Sequence, residues 1–268
     1  MKIAVCIKQV PDSWAQKTMG PDGRLDRASV DAVLNDLDEY AIESALALVE
    51  GNSPTGESGE GSGHTITVIS MGPDRASEAL RKALSMGVDD AILISDDALA
   101  GTDALATSKV LAKVISDGGY DMVICGTEST DARMSVIPAM LAERLNFAQL
   151  TFAGSVAVDG NSVKIARQTE FGVEEMSADF PVVVSVIEKI NEPRYPSFKG
   201  IMASKKKPLI TKTLADISIA ASDVGTSAAW STVKDSLPRP PRGAGIKIVD
   251  DGTGGTQLVA FLAERKLV

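Results

Sequence analysis

A chain of 268 residues, 44% of them hydrophobic, is long enough to bury a full core, either as one large α/β domain or as a domain with an extension. A formal charge of −9 and a pI of about 4.8 exclude a general nucleic-acid binder, which needs a basic face. The single histidine, His64, excludes multi-histidine metal sites, no Cys/His spacing suggests zinc, and no apolar run approaches the roughly 20 residues that span a bilayer.

The opening run, residues 2–10, is continuously apolar, which suits a parallel strand covered on both faces. Met1-Lys2 leads directly into it, so no signal peptide is expected. The two cysteines, Cys6 and Cys125, both lie in such runs; packed thiols in a reducing, cytoplasmic (bacterial) setting fit them better than a disulfide scaffold. Residues 13–29 lack periodicity and contain Gly20-Pro21-Asp22-Gly23, which reads as an irregular excursion. Helix signals resume at Asn35: Asn35 or Asp36 caps, Asp38 and Glu39 occupy the first turn, and Leu37, Ala41, Ala45 and Leu48 form the stripe. Residues 51–63 have the composition of a flexible surface linker.

A second strand is predicted over 65–71, then a helix opened by Gly72-Pro73-Asp74 and closed at Gly87. A third strand follows at 91–94, then a helix capped by Thr102 or Asp103 and ended at Gly118-Gly119, then a fourth strand at 122–125. This βα alternation to Leu145 predicts a doubly wound, mostly parallel, Rossmann-like sheet. Ligands of such sheets bind at the carboxyl ends of the strands, where Cys6, Met71 and Gly126 fall.

The stretch after the fourth strand is the most informative. Pro138 belongs in the first turn of a helix, so the helix begins near Ser135 and residues 126–134 form a long loop. Free N–H groups at that helix start, with the hydroxyls of Thr127, Ser129, Thr130 and Ser135, make a phosphate cradle. An ordinary βα loop whose hydroxyls satisfy its own backbone has the same composition.

The pattern then changes. Residues 153–158 and 162–169 around Asp159-Gly160-Asn161 predict an antiparallel hairpin, 171–177 a further strand, and 182–187 an apolar strand that returns to the main sheet. Residues 193–215 contain no acidic side chain but carry Arg194, Lys199, Lys205, Lys206, Lys207 and Lys212. This is a solvated loop or a docking surface for a negatively charged partner. Residues 217–245 are irregular, with an isolated Trp230, and a last helix is predicted over 256–267. So poor a tail reads as an extended C-terminal arm on another subunit more readily than as a second domain. Division is expected between a nucleotide-binding α/β domain, 1–192, and the end of a docking loop with the arm, 193–268.

Several separate segments together resemble the β subunit of electron transfer flavoproteins, the family that includes the FixA proteins. They are Lys2-Ile3-Ala4-Val5-Cys6-Ile7-Lys8-Gln9-Val10-Pro11-Asp12, the Asn35-Asp36-Leu37-Asp38-Glu39-Tyr40 helix start, Ser70-Met71-Gly72-Pro73, and Ala83-Leu84-Ser85-Met86-Gly87. The run 165–175, followed by Pro181-Val182-Val183-Val184, looks like the family signature. Most specific is Asn191-Glu192-Pro193-Arg194-Tyr195-Pro196-Ser197-Phe198-Lys199-Gly200, continued to Lys205-Lys206-Lys207.

The resemblance covers about residues 1–215. It implies an electron-carrier subunit, not an enzyme, in a heterodimer with an α subunit that holds most of one FAD. Electrons would pass from dehydrogenases, such as acyl-CoA dehydrogenases, to a quinone reductase or another acceptor, with no nucleic acid bound and no insertion into membrane. The β chain would bind a structural AMP through Cys6, Asn35, Asp36, Leu37, Asp38 and Met71, and through Gly126, Thr127, Glu128, Ser129, Thr130, Asp131, Ala132, Arg133, Met134, Ser135, Val136 and Ile137. It would dock partners through residues 191–200, with Arg194, Tyr195 and Lys199 around an apolar anchor, Phe198. Many members carry a further Asp, a Gln and a Gly where this chain has Arg133, Val136 and Pro138, and the Asp-Gly-Asp-Thr-Ala-Gln-Val-Gly-Pro pattern of members with a second FAD is absent, which favours AMP, or an empty pocket, over a second flavin. A free-standing nucleotide-binding regulator of the universal-stress type is the alternative reading. An ATP-cleaving enzyme of the same fold group lacks its expected Ser-Gly-Gly or His-containing phosphate motif.

Overall fold

Strand β1 (Lys2–Cys6) shows how the sheet is buried on both sides: Ile3 and Val5 enter one core cluster, Ala4 and Cys6 the other. A computed structural model describes residues 1–52 and 63–268. After β1 come β2 (Gln9–Pro11), β3 (Ala32–Leu34), α1 (Asp36–Asn52) and β4 (Thr65–Met71). A 3-10 turn then leads into α2 (Ser77–Met86), followed by β5 (Asp90–Ile94), α3 (Ala104–Gly118), β6 (Met122–Gly126) and α4 (Ile137–Leu145). The second half has β7 (Ala148–Asp159), β8 (Ser162–Thr169), β9 (Gly172–Asp179), β10 (Val182–Val186), α5 (Phe198–Ser204), β11 (Leu209–Lys212), α6 (Gly225–Ala228) and α7 (Gly254–Glu264). No described helix is long and apolar enough to cross a membrane.

Among the described residues, nine strands form one sheet in the order β11-β5-β4-β1-β6-β10-β7-β8-β9, parallel up to β7 and antiparallel beyond it. Helices α1 and α2 supply Ile42, Val49, Leu80 and Leu84 to one core face, and α3 and α4 supply Val110, Ile115 and Leu141 to the other. The sheet is therefore doubly wound. The chain leaves β1 toward β4 and β5, then crosses back to place β6 on the other side of β1. The topological switch point lies between β1 and β6, so the crevice beyond Cys6 and Gly126 is where a ligand is expected.

Three expectations are corrected. The opening strand is two strands, because Lys8 is drawn out of the ladder: its N–H donates to Asp38 Oδ2 at 2.7 Å and its carbonyl accepts from the Asn35 N–H at 2.9 Å. β2 then pairs antiparallel with β3 in a separate small sheet. The hairpin strand starts at Ala148 rather than at 153 and belongs to both halves of the sheet, pairing parallel with β10 and then antiparallel with β8. The change of partner occurs at a bulge where Phe152 has φ 62° and its N–H donates to the Ser185 hydroxyl at 2.9 Å. Residues 193–215 contain a helix, α5, and an edge strand, β11, whose ends are pinned by Ala91 N–H to Pro208 O and Ser95 N–H to Lys212 O.

The linker expected at 51–63 lies, for residues 53–62, outside the described residues. The described chain divides into two compact units, 1–233 and 234–268, so the boundary expected at 192 falls inside the first unit. The last helix, α7, spans Gly254–Glu264 and belongs to the second unit.

Candidate functional site

The start of α1 and the loop after β6 are built against each other. Asn35, fully buried, donates from Nδ2 to Glu128 O at 2.9 Å and accepts the Thr130 N–H on Oδ1 at 3.0 Å. One side chain thus satisfies two backbone groups of the 126–136 loop and fixes its path. Gly126 is required where β6 ends: a Cβ there would stand 2.6 Å from both Asp38 Oδ1 and Leu37 O. Cys6 and Cys125 are register partners on β1 and β6 beneath this junction, and both are free and buried. The hydrogen bond to Cys6, together with burial, pushes the Cys125 thiol well above its ordinary range, so Cys125 is a packing thiol rather than a nucleophile.

Asp38 is the buried acid of the site. Burial raises its pKa to about 7 against the opposing pull of Asn35, the Lys8 N–H and charge, and the Gly126 N–H. Asp131 behaves oppositely. Its side chain is 0% exposed and bridges Lys8 Nζ at 2.7 Å and Arg27 Nε at 2.8 Å. Burial alone would raise Asp131, but Lys8, Ser129 and Arg27 outweigh it and hold it below the usual carboxylate range. Lys8 and Arg27 were not legible as site residues. A lysine inside a buried apolar run was the only hint of the first; Arg27 lies in the irregular excursion and gave none. Arg75 secures that excursion by donating to the carbonyls of Arg27, Ala28 and Val30.

Three of the four expected cradle hydroxyls are already engaged. Thr127 donates to Val186 O at 2.6 Å, Ser135 donates to Glu128 Oε2 at 3.0 Å, and Ser129 accepts from Lys8 Nζ at 3.2 Å. The helix itself begins at Ile137, not at Ser135, because Arg133 and Ser135 both adopt left-handed backbone, with φ 50° and 55°. No side chain caps α4, so its first N–H groups are open to a ligand, and Arg133 stands exposed beside them with Glu128 at 3.8 Å. Ala132 and Met134 are exposed, Val136 and Ile137 half-buried; Asp36 is exposed, Leu37 half-buried, and Met71 half-buried at the end of β4. The uncapped helix start and one exposed cation are groups that could hold a phosphate. Among the described residues no cluster of His, Cys, Asp or Glu can hold a metal ion.

A second surface lies along residues 191–207. Tyr195 is 96% and Phe198 81% exposed, and Lys199, Ile201 and Met202 also project to solvent. Arg194, expected beside them, turns inward onto Glu43 and Glu50 of α1. Ser197 caps α5 by accepting the Gly200 N–H at 3.0 Å. The helix lies so close to α2 that a Cβ on Gly200 would be 2.4 Å from Ser85 O. Lys207, also expected in the basic patch, is half-buried against the end of α2, where it donates to the carbonyls of Gly87 and Val88 at 2.8 and 2.6 Å.

Residues 22–217 match the family model described as the electron transfer flavoprotein domain. The chain is 44% identical over 99% of its length to the electron transfer flavoprotein subunit beta of Mycobacterium tuberculosis, which is likewise covered to 99%. It is 34% identical, with both chains fully covered, to the subunit of the same name from Megasphaera elsdenii. It is 32% identical, again over the whole of both chains, to the caffeyl-CoA reductase–Etf complex subunit CarD of Acetobacterium woodii. A doubly wound sheet, and matches that run nearly end to end, make the chain a member of the electron transfer flavoprotein β-subunit family.

Proposed function

We propose that the protein is the β half of a heterodimer whose α subunit holds most of one FAD, with AMP bound structurally in the crevice between β1 and β6. The single observation that carries the AMP assignment is that α4, which follows the carboxyl end of β6 beside the switch point, starts without a side-chain cap. Its free N–H groups and Arg133 are suited to a phosphate, and Asn35 holds the loop in place. Pro138 removes one of the N–H donors near the helix start, and Val136 offers no polar group, which supports the smaller nucleotide over a second FAD.

FAD, when bound to the pair, supplies the electron-accepting and electron-donating chemistry. This chain contributes the support of the shared fold, and through Tyr195, Phe198, Ile201 and Met202 an apolar docking row rimmed by Lys199, Lys205 and Lys206. Such a row suits a partner surface with an apolar pocket and an acidic rim, the role assigned here to flavin dehydrogenases, for example acyl-CoA dehydrogenases, and to a quinone reductase or other acceptor. The two free, buried thiols support a cytoplasmic setting. A free-standing nucleotide-binding regulator is not favoured, because the family match covers most of the chain.

The test is coexpression with a candidate α subunit and identification of the small molecules released on denaturation. One FAD and one AMP per pair are expected. Two FAD per pair would overturn the AMP assignment, and a pair whose flavin no dehydrogenase reduces would overturn the carrier role.

A further inference from the structure

Arg194 makes more polar contacts within the fold than any neighbour in the docking segment. Its Nε and Nη2 donate to the two oxygens of Glu43 at 2.7 and 2.8 Å, its Nη1 and Nη2 to the two oxygens of Glu50 at 2.6 and 2.9 Å, and its own N–H to Glu43 Oε2 at 3.1 Å. Glu43 and Glu50 are two helical turns apart on one face of α1, so one planar guanidinium spans both. Glu43 is 9% exposed, and a carboxylate that buried needs a partner. Three residues earlier, Asn191 donates to Tyr40 O at 3.1 Å and to Ser44 Oγ at 2.9 Å, on the same helix.

The segment is thus fastened to α1 at 191–194 and to α2 at Gly200 and Lys207, and the exposed aromatic pair Tyr195 and Phe198 lies between the fastenings. A basic residue in a docking sequence is ordinarily taken as part of the charged rim. Here all three guanidinium nitrogens donate to α1, and of the five N–H groups only one, on Nη1, is not engaged there.

We propose that Arg194 is the positioning residue of the docking segment: its fork onto Glu43 and Glu50 holds Tyr195 and Phe198 in the geometry a partner dehydrogenase reads, and it does not touch the partner itself. The inference rests on residues 191–207 being the docking surface. Pre-ordering such a segment before encounter removes an ordering cost that binding would otherwise carry.

The experiment uses the α–β pair with its flavin and measures steady-state electron transfer from an acyl-CoA dehydrogenase with the pair as the varied substrate. Arg194→Gln and the double variant Glu43→Ala/Glu50→Ala should each raise KM about tenfold with kcat within about twofold, and combining all three changes should raise it no further, since each breaks the same contact. Arg194→Lys should behave like Arg194→Gln, because an ammonium keeps the charge but not the double fork. Hydrogen exchange of residues 195–202 should quicken in these variants while the exchange of β1 and β6 and the flavin and nucleotide contents stay at wild-type values.

A raised KM for Arg194→Gln with an unchanged KM for the glutamate pair would mean that Arg194 meets the partner directly, which overturns the proposal. A wild-type KM for Arg194→Lys would do the same by showing that charge alone suffices. Unchanged exchange at 195–202, or loss of flavin with a falling kcat, would also overturn it. Phe198→Ala separates the two levels: if it raises KM while the Arg194 variants do not, docking through this segment stands and the positioning role falls; if it too leaves KM unchanged, the docking surface itself is misassigned.

Discussion

The carboxylate of Asp38 accepts the backbone N–H of Lys8 at 2.7 Å, so a residue of α1 ends strand β1 and at the same time lies buried against Gly126. Its pKa rises from an ordinary 3.8 to about 7, with burial as the chief cause. Between those values the folded chain keeps a proton that the unfolded chain has released. Stability therefore falls as pH rises from about 4 to about 7 and is independent of this group above that, with a ceiling on the order of 4 kcal/mol. Asp38→Asn keeps an acceptor for Lys8 and removes the titration. Denaturant unfolding at about pH 5.5 and about pH 8, at fixed nucleotide, should show the variant losing less stability over this interval than wild type and exceeding it at the higher pH. Equal losses would show that Asp38 titrates in its ordinary range.

Asp131 joins the first strand, the excursion and the nucleotide loop through Lys8 and Arg27. Asp131→Ala leaves two cations without their shared partner and should cost about 1–3 kcal/mol. Because the ties are local, the excursion 13–31 should become the first site of limited proteolysis, and nucleotide should be lost on dialysis. Asp131→Asn, which keeps one acceptor oxygen and loses the other together with the charge, should fall between wild type and Asp131→Ala. Cleavage at wild-type rates would show that Arg75 alone secures the excursion.

At Gly126 a methyl group would collide with Asp38 Oδ1 and with the backbone oxygen of Leu37, both at 2.6 Å. Gly126→Ala must push α1 away from β6, at a cost of about 1–3 kcal/mol. The same shift opens the crevice, so the purified α–β pair should carry substoichiometric AMP by mass spectrometry while the FAD content is kept. Full AMP occupancy would place the nucleotide elsewhere.

Lys207 is a basic side chain used as internal glue. Its ammonium donates to Gly87 O and Val88 O past the end of α2, where burial lowers its pKa. Lys207→Met preserves the aliphatic stem and strands those carbonyls, and should lower unfolding free energy by about 1–3 kcal/mol. An unchanged denaturation midpoint would show that solvent replaces the ammonium without loss.

Much of the architecture could be read from residue patterns because they are local. Continuous apolar runs marked β4, β5, β6 and β10, and the prolines and glycines at 73, 87, 118, 119 and 138 bounded the helices between them. What could not be read depends on contacts between distant residues. Lys8 leaves the sheet because Asn35 and Asp38 take its backbone, and β7 changes partner because Ser185 takes the Phe152 N–H. The 126–136 loop was recognisable from Pro138 and its hydroxyls, yet three of those hydroxyls are already engaged, with Val186 of β10, with Lys8 and with Glu128 of the loop itself. In the basic stretch, composition counted Arg194 and Lys207 with the surface lysines, whereas both are half-buried and turned inward, Arg194 onto Glu43 and Glu50 and Lys207 onto the carbonyls past the end of α2. Charge alone does not say which way a long side chain points.

The fastening of residues 191–207 at its two ends separates the residues that hold the segment from those it displays. Tyr195, Phe198, Ile201 and Met202 carry little of the protein's own stability, and exposed positions of this kind tolerate substitution within about 0.5 kcal/mol. On the docking role proposed above, the displayed side chains can be exchanged to suit a different redox partner while the frame beneath stays fixed.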